Sequence, residues 1–262
     1  MDLEVDGDAA LCLAATSGLG LASATALAEE GADVAVCGRT PDHVDAASER
    51  VDSAGHGDVL AVEADITDRA AMEALVAETV ETFGGLDHLV TSAGGPPSGT
   101  FRETDATDWP AAFELLLMSC VHTLQAADPH LRAGDGGTWT AITSRTVREV
   151  ADALVLSNAV RRSVIGLVKT ASRELAPEVR ANAVLPGAHE TGRIRDLIED
   201  DIERGEYADY DAGYADWASD VPLERIGEPR ELGDVVAFLA SDRASYVNGA
   251  ALAVDGGSLR SV

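Results

Sequence analysis

Short apolar runs alternate with longer amphipathic stretches along almost the whole chain. "AALCLAA" (9–15), "GADVAVCGR" (31–39), "DVLAVEADIT" (58–67), "LDHLVTSAG" (86–94), "GTWTAITS" (137–144), "VRANAVLPG" (179–187) and "GAALAVDGG" (249–257) each have the length and composition of a strand. These runs are apolar nearly throughout, so both faces of each strand are expected to be covered, as in a parallel sheet under helices. Helical stretches fill the gaps, running to about Glu30, to about Ala54, and over 68–84. Repeated strand–helix units require right-handed crossovers, so the pattern predicts one α/β domain over residues 1–262, with seven parallel strands and helices on both faces.

One segment breaks the alternation. Residues 188–222 hold three of the four tyrosines and many acids, and carry no strand signal. A long excursion after the sixth strand lies on the sheet edge where α/β proteins bind ligands. It reads either as a substrate lid or as an acidic helix pair with an aromatic stripe packed down.

Charge changes the picture more than composition does. The chain has 46 acidic residues against 19 basic ones, a formal charge of −27, and its single lysine is Lys169. Such a surface repels nucleic acid and acidic membranes. Because the acids are spread among regular elements, they point to a protein of concentrated brine, where self-repulsion is screened within about 3 Å. No apolar run approaches the roughly 18 residues of a membrane span, and the acidic start does not resemble a signal peptide. Cys12, Cys37 and Cys120 are odd in number, dispersed and set in apolar runs. They read as buried free thiols of a reducing, cytoplasmic compartment, and with six scattered histidines they suggest no metal site.

The candidate chemistry begins at "LAATSGLG". A glycine turn directly after the first strand, with Gly18 and Gly20 opening a helix, lets backbone approach a pyrophosphate at the helix N-terminus. Nineteen positions beyond Gly20, at the end of the second strand, stands Arg39 with Thr40 beside it. An acid there would hold a ribose 2′-hydroxyl, whereas an arginine accommodates a 2′-phosphate, so NADP(H) is expected over NAD(H).

This spacing resembles the short-chain dehydrogenase/reductase family, which has a Rossmann-like fold and whose turn reads T-G-x-x-x-G-x-G. Leu13 and Ala14 stand for its threonine and first glycine, and an alanine there is tolerable only if its φ stays negative. The resemblance places Ala14, Thr16, Ser17, Gly18, Leu19 and Gly20 around the coenzyme's phosphates, and Asp65 and Ile66 of "EADITD" at its adenine. It also places Ala93, Gly94 and Gly95 of "TSAGG" along it, and Pro186, Gly187 and Thr191 of "LPGAHET" around the nicotinamide. It extends from about residue 9 to 258. The altered turns further resemble a divergent 3-oxoacyl-carrier-protein reductase-like subgroup.

The same resemblance exposes a missing acid. The family uses a tyrosine as general acid, a lysine four residues later, a serine and an asparagine. Those positions fall on Ser157, Arg161, Ser144 and Leu116, so only the serine is kept. Ser157 and Arg161 share a helix face. Yet a serine hydroxyl is a far weaker acid than a phenol, and arginine does not give up a proton near neutral pH. Lys169 lies about 12 Å further along the helix and cannot substitute. His189, Tyr207, Tyr210, Tyr214 and Arg145 are alternative donors, each with a plainer reading as a loop or surface residue. Three readings stay open: a nicotinamide-dependent oxidoreductase acting on a small carbonyl or alcohol with altered proton delivery; a non-catalytic dinucleotide-binding regulator or scaffold; or, given Ala14 and the Thr91 and Ser92 that replace the family's asparagines, a protein that binds no nucleotide. The segments 111–121 and 164–168 are apolar around most of their circumference, which predicts a homo-oligomer, dimer or tetramer.

Overall fold

The computed structural model describes residues 3–134 and 136–261. Seven strands appear where the apolar runs lie: β1 (Ala9–Cys12), β2 (Asp33–Gly38), β3 (Val59–Glu63), β4 (His88–Thr91), β5 (Gly137–Ile142), β6 (Val179–Pro186) and β7 (Ala251–Val254). They form one parallel sheet in the order β3-β2-β1-β4-β5-β6-β7. The helices between them are α1 (Gly18–Glu29), α2 (Pro41–Asp52), α3 (Arg69–Phe83), α4 (Asp108–Phe113), α5 (Ser119–Leu131) and α6 (Val155–Glu174). After β6 come α7 (Gly192–Glu203), α8 (Tyr210–Ser219) and α9 (Pro229–Ala240).

The absence of polar–apolar alternation in the strands now has its cause. Successive strand residues face opposite sides, and each side meets its own apolar layer. Leu11, Ala35 and Cys37 join the layer of α3, α5 and α6, with Met72, Leu124 and Val164. Ala10, Cys12, Val34 and Val36 join the layer of α1, α2 and α9, with Leu27, Val51 and Val236. Cys12, Cys37 and Cys120 are buried free thiols, and burial raises the pKa of Cys37 to about 11.

Strands end earlier than their apolar runs. β1 stops at Cys12, because the next residues leave the ladder to enter the glycine turn, with Leu13 still donating to Val90 at 2.9 Å and Ala15 to Cys37 at 3.0 Å. The sheet changes direction between β1 and β4, and the crevice at such a switch point is where an open α/β sheet receives ligands. Beyond β6, residues 188–222 form α7 and α8. Gly213 lets them cross closely: a Cβ there would stand 2.5 Å from Ile198 Cγ2. No helix among the described residues is long and apolar enough to cross a membrane.

Candidate active site

A cleft of about 1280 Å³ opens over the C-terminal ends of β1, β4, β5 and β6. Its first wall is the turn after β1. Ser17 is the N-cap of α1 in extended conformation and its side chain makes no cap bond, while the first helical turn carries no acid. The first N–H groups of α1 therefore face the cleft without a competing anion. Gly20 has to be a glycine, since a Cβ there would lie 2.8 Å from the Ala14 carbonyl oxygen. These features fit a pyrophosphate.

Ala14 departs from expectation. It was acceptable on condition of a negative φ, but its φ is +47°, in the left-handed region. The turn geometry of a glycine is kept and an alanine is held in it, at a cost of about 1 kcal/mol.

Of the residues assigned to the coenzyme, Ala14, Ser17, Gly18, Leu19, Gly20, Ala93, Gly94, Gly95, Pro186, Gly187 and Thr191 line the cleft. Thr16, Arg39, Thr40, Asp65 and Ile66 stand outside it. Thr16 packs against Gly38, where a Cβ would meet its Cγ2 at 2.5 Å. Thr40 is the N-cap of α2, and Ile66 is buried in the core. Asp65 accepts from the backbone N–H of Thr67 at 2.9 Å and from its hydroxyl at 2.8 Å. Those bonds hold its carboxyl below the usual range, with burial opposing and Arg39 adding a smaller pull in the same direction. Arg39 itself is exposed at the end of β2.

The second wall carries Ser144, Ser157 and Arg161, the positions at which the family resemblance places its catalytic residues. Ser144 caps a short 3-10 turn (Arg145–Val147), its Oγ accepting from the Thr146 N–H at 3.2 Å. The Thr146 hydroxyl lies 3.4 Å from Ser157 Oγ. The Thr146 and Ser157 hydroxyls are thus paired, while Ser144 meets Thr146 through its backbone N–H, and Thr146, buried between them, is a residue the sequence reading missed. A Ser-x-Thr turn at a strand exit was its available signal.

One turn below Ser157, Arg161 is only 8% exposed. Its Nη1 donates to the Thr143 carbonyl at 3.1 Å, and its Nη2 to those of Gly94 at 3.3 Å and Ala93 at 3.5 Å. It forms no salt bridge among the described residues. Burial pulls its pKa down to about 10, slightly opposed by the Cys120 thiol, so it remains a cation at neutral pH. The asparagine position, Leu116, is buried in a π-helical turn (Glu114–Met118) between α4 and α5, and offers no polar group.

The alternative donors fare differently. His189 is buried with Nδ1 3.2 Å from the Gly187 carbonyl, and burial lowers its pKa, leaving a neutral imidazole at pH 7. Tyr207 lines the cleft, but it donates to Asp216 Oδ2 at 2.7 Å, and that bond raises its pKa to about 12, the wrong direction for a general acid. Tyr210 and Tyr214 pair with each other, ring centroids 6.5 Å apart, outside the cleft lining. Arg145 lines the cleft beside Ser144. Lys169 donates to the Gly249 carbonyl at 3.1 Å, away from the site. Sequence reading also missed Trp217 on α8 and the tail residue Arg260, which reach the cleft only through tertiary folding. Among the described residues no cluster of His, Cys, Asp and Glu has the arrangement of a metal site.

This combination, a glycine turn at the switch point facing a serine just beyond β5 and a polar pair on α6, defines a dinucleotide-binding α/β protein. The family model described as enoyl-(acyl carrier protein) reductase matches residues 13–258. A 3-oxoacyl-[acyl-carrier-protein] reductase of Staphylococcus aureus is 30% identical over 250 residues, covering 95% of this chain and 96% of its own. The structure of L-sorbose reductase from Gluconobacter frateurii, complexed with NADPH and L-sorbose, has a TM-score of 0.95 at 28% identity over the whole of both chains. A short-chain oxidoreductase from Pseudomonas aeruginosa PAO1, described as containing an atypical catalytic center, has a TM-score of 0.91 at 30% identity over 98% of this chain and 99% of that one. The chain belongs to the short-chain dehydrogenase/reductase family.

Proposed function

We propose that the protein is an NADP(H)-dependent oxidoreductase that interconverts a carbonyl and an alcohol, with a buried guanidinium in place of a phenol acid. The observation that carries this reading is Arg161, a buried cation with no carboxylate partner among the described residues, lining the cleft one helical turn from Ser157. When bound, the reduced nicotinamide supplies a hydride to the carbonyl carbon. The negative charge that then grows on the carbonyl oxygen is stabilised by the fixed charge of Arg161 and by the hydroxyls of Ser144 and Ser157. Thr146 holds Ser157 in place, and the oxygen takes its proton from solvent in the cleft through the hydroxyl of Ser144 or Ser157. Arg161 keeps spare N–H groups for ribose hydroxyls, since a guanidinium has five donors.

Several features support the finer parts of this reading. The exposed Arg39 offers a cation for a 2′-phosphate, and the NADPH in the sorbose reductase complex is consistent with it. Residues 188–222 act as a lid, since Tyr207, Asp216 and Trp217 face the cleft. Half-buried Leu115, Leu117, Ile165 and Leu167 on the π turn and α6 suit a homo-oligomer within one 262-residue domain. The formal charge of −27 suits a cytoplasmic protein of a halophile. The 3-oxoacyl-carrier-protein reductase of S. aureus supplies a substrate class to test first.

A second reading, a dinucleotide-binding regulator, is favoured by the loss of the phenol and the ammonium at Ser157 and Arg161. Fluorescence titration with NADPH in molar KCl, followed by a panel of ketones and 3-oxoacyl thioesters, separates the two. Binding with turnover lost in Ser144→Ala supports the enzyme. Binding with no turnover on any member supports the regulator, and no binding of either coenzyme overturns both.

A further inference from the structure

The buried charge of Arg161 raises a question that the hydride transfer leaves open. A cation removed from water is ordinarily paired, and leaving one unpaired costs several kcal/mol. Among the described residues Arg161 has three backbone carbonyls as partners and no carboxylate, and carbonyls carry dipoles rather than a compensating charge. The growing oxyanion cannot be the missing partner, since it exists only during turnover. The coenzyme's pyrophosphate belongs at the Gly18–Gly20 turn after β1. The resting site therefore lacks an anion that a substrate can bring.

The floor around Arg161 has room and donors for one. Serine at position 157 ends one bond beyond Cβ, so the volume that a phenol ring would occupy is open to the cleft. Ser144, Thr146 and Ser157 line that floor with hydroxyls. After the carbonyl contacts, Nε and one N–H of Nη1 remain, so the guanidinium still offers a charge-assisted N–H to a carboxylate oxygen. The rival signal is acidic: Glu149, Asp152, Asp196, Asp201, Asp216 and Asp220 line the same cleft. The half-buried pair is already engaged, Asp201 with Arg204 at 3.1 Å and Glu149 with the backbone N–H groups of Arg260 and Ser261, and Asp216 accepts from Tyr207. The remaining carboxylates are exposed and screened by salt, whereas the field of buried Arg161 is felt in full.

We propose that Arg161, Ser144, Thr146 and Ser157 form a carboxylate-binding floor, and that the substrate is an oxo acid, or the matching hydroxy acid, carrying its carboxylate next to the reacting carbon. The proposal rests on the coenzyme-dependent reading above. It treats the serine in place of the family's tyrosine as a specificity device, since a phenol would fill the space that the carboxylate needs.

The test uses calorimetry on the whole protein saturated with NADP+ in molar KCl, with oxamate as an unreactive oxo-acid probe and methyl oxamate as its uncharged ester. Oxamate is expected to saturate the site and to bind at least about ten-fold more tightly than the ester. Ser157→Tyr should weaken oxamate by at least about ten-fold while NADP+ affinity holds, because the ring fills the floor. Arg161→Met should weaken it equally and Arg161→Lys less, and the Ser157 variant decides if the methionine variant does not fold. NADP+ binding with oxamate absent, or bound no better than its ester, overturns the proposal alone, as does an unchanged oxamate affinity in Ser157→Tyr. Failure of NADP+ itself to bind overturns the underlying reading and takes the proposal with it.

Discussion

Arg161 reaches across from α6 to the end of β5, its Nη1 donating to the Thr143 carbonyl at 3.1 Å, and so holds a positive charge at the point where two elements of the cleft meet. A family lysine at this position could lower a neighbouring phenol's pKa. Here there is no phenol to lower, and the pH dependence changes accordingly.

With no phenol beside Arg161, the rate of carbonyl reduction should be flat from about pH 6 to 9. It should fall only as Arg161 loses its charge near its pKa of about 10, since the charged form exists below that value and is the one that stabilises the oxyanion. Ser157→Tyr introduces a phenol beside the guanidinium and should add a titration below pH 10, where the protonated, active form is lost on the alkaline side. Initial rates of NADPH oxidation across this range check both. A wild-type step near pH 7 would place the proton on another group.

Arg39→Asp removes the cation at the end of β2 and places an acid there. NADPH affinity should drop by about 10- to 100-fold, the worth of one charge-assisted contact, while NADH binds no more weakly than before. Parallel fluorescence titrations with the two coenzymes measure the ratio. An equal loss for both would show that Arg39 does not read the 2′-phosphate.

Ala14→Gly should stabilise the fold even though glycine usually weakens it. Alanine at φ +47° carries about 1–2 kcal/mol of left-handed strain, against about 0.4–1 kcal/mol of extra unfolded-chain freedom for glycine. A net gain of up to about 1 kcal/mol corresponds to a rise of roughly 2 °C in Tm. Thermal melts in molar KCl test this, and a lower Tm in the variant would count against the strain.

Dialysis from molar to about 0.1 M salt lengthens the screening distance from about 3 to 10 Å. With a formal charge of −27, the melting temperature should fall steadily as salt is removed, and a neutral osmolyte at equal osmolarity should not restore it. A Tm indifferent to salt would argue against a halophilic surface.

Much of this protein was legible in the chain. All seven strands lie within their apolar runs, and their doubly apolar character announced two covered faces, because period-two geometry sends neighbouring residues to opposite layers. The glycine turn that opens the cleft was also legible, since motif spacing is a local property. Tertiary structure alone decided what depends on segments far apart in sequence meeting in space. Only there does Arg161 find three carbonyls and, among the described residues, no carboxylate, the Thr146 hydroxyl come within 3.4 Å of Ser157, and Tyr207 turn to Asp216. The sign of φ at Ala14 belongs to this second group too. A residue type restricts its backbone, but the packing of Gly20 against the Ala14 carbonyl dictates which conformation the turn must take.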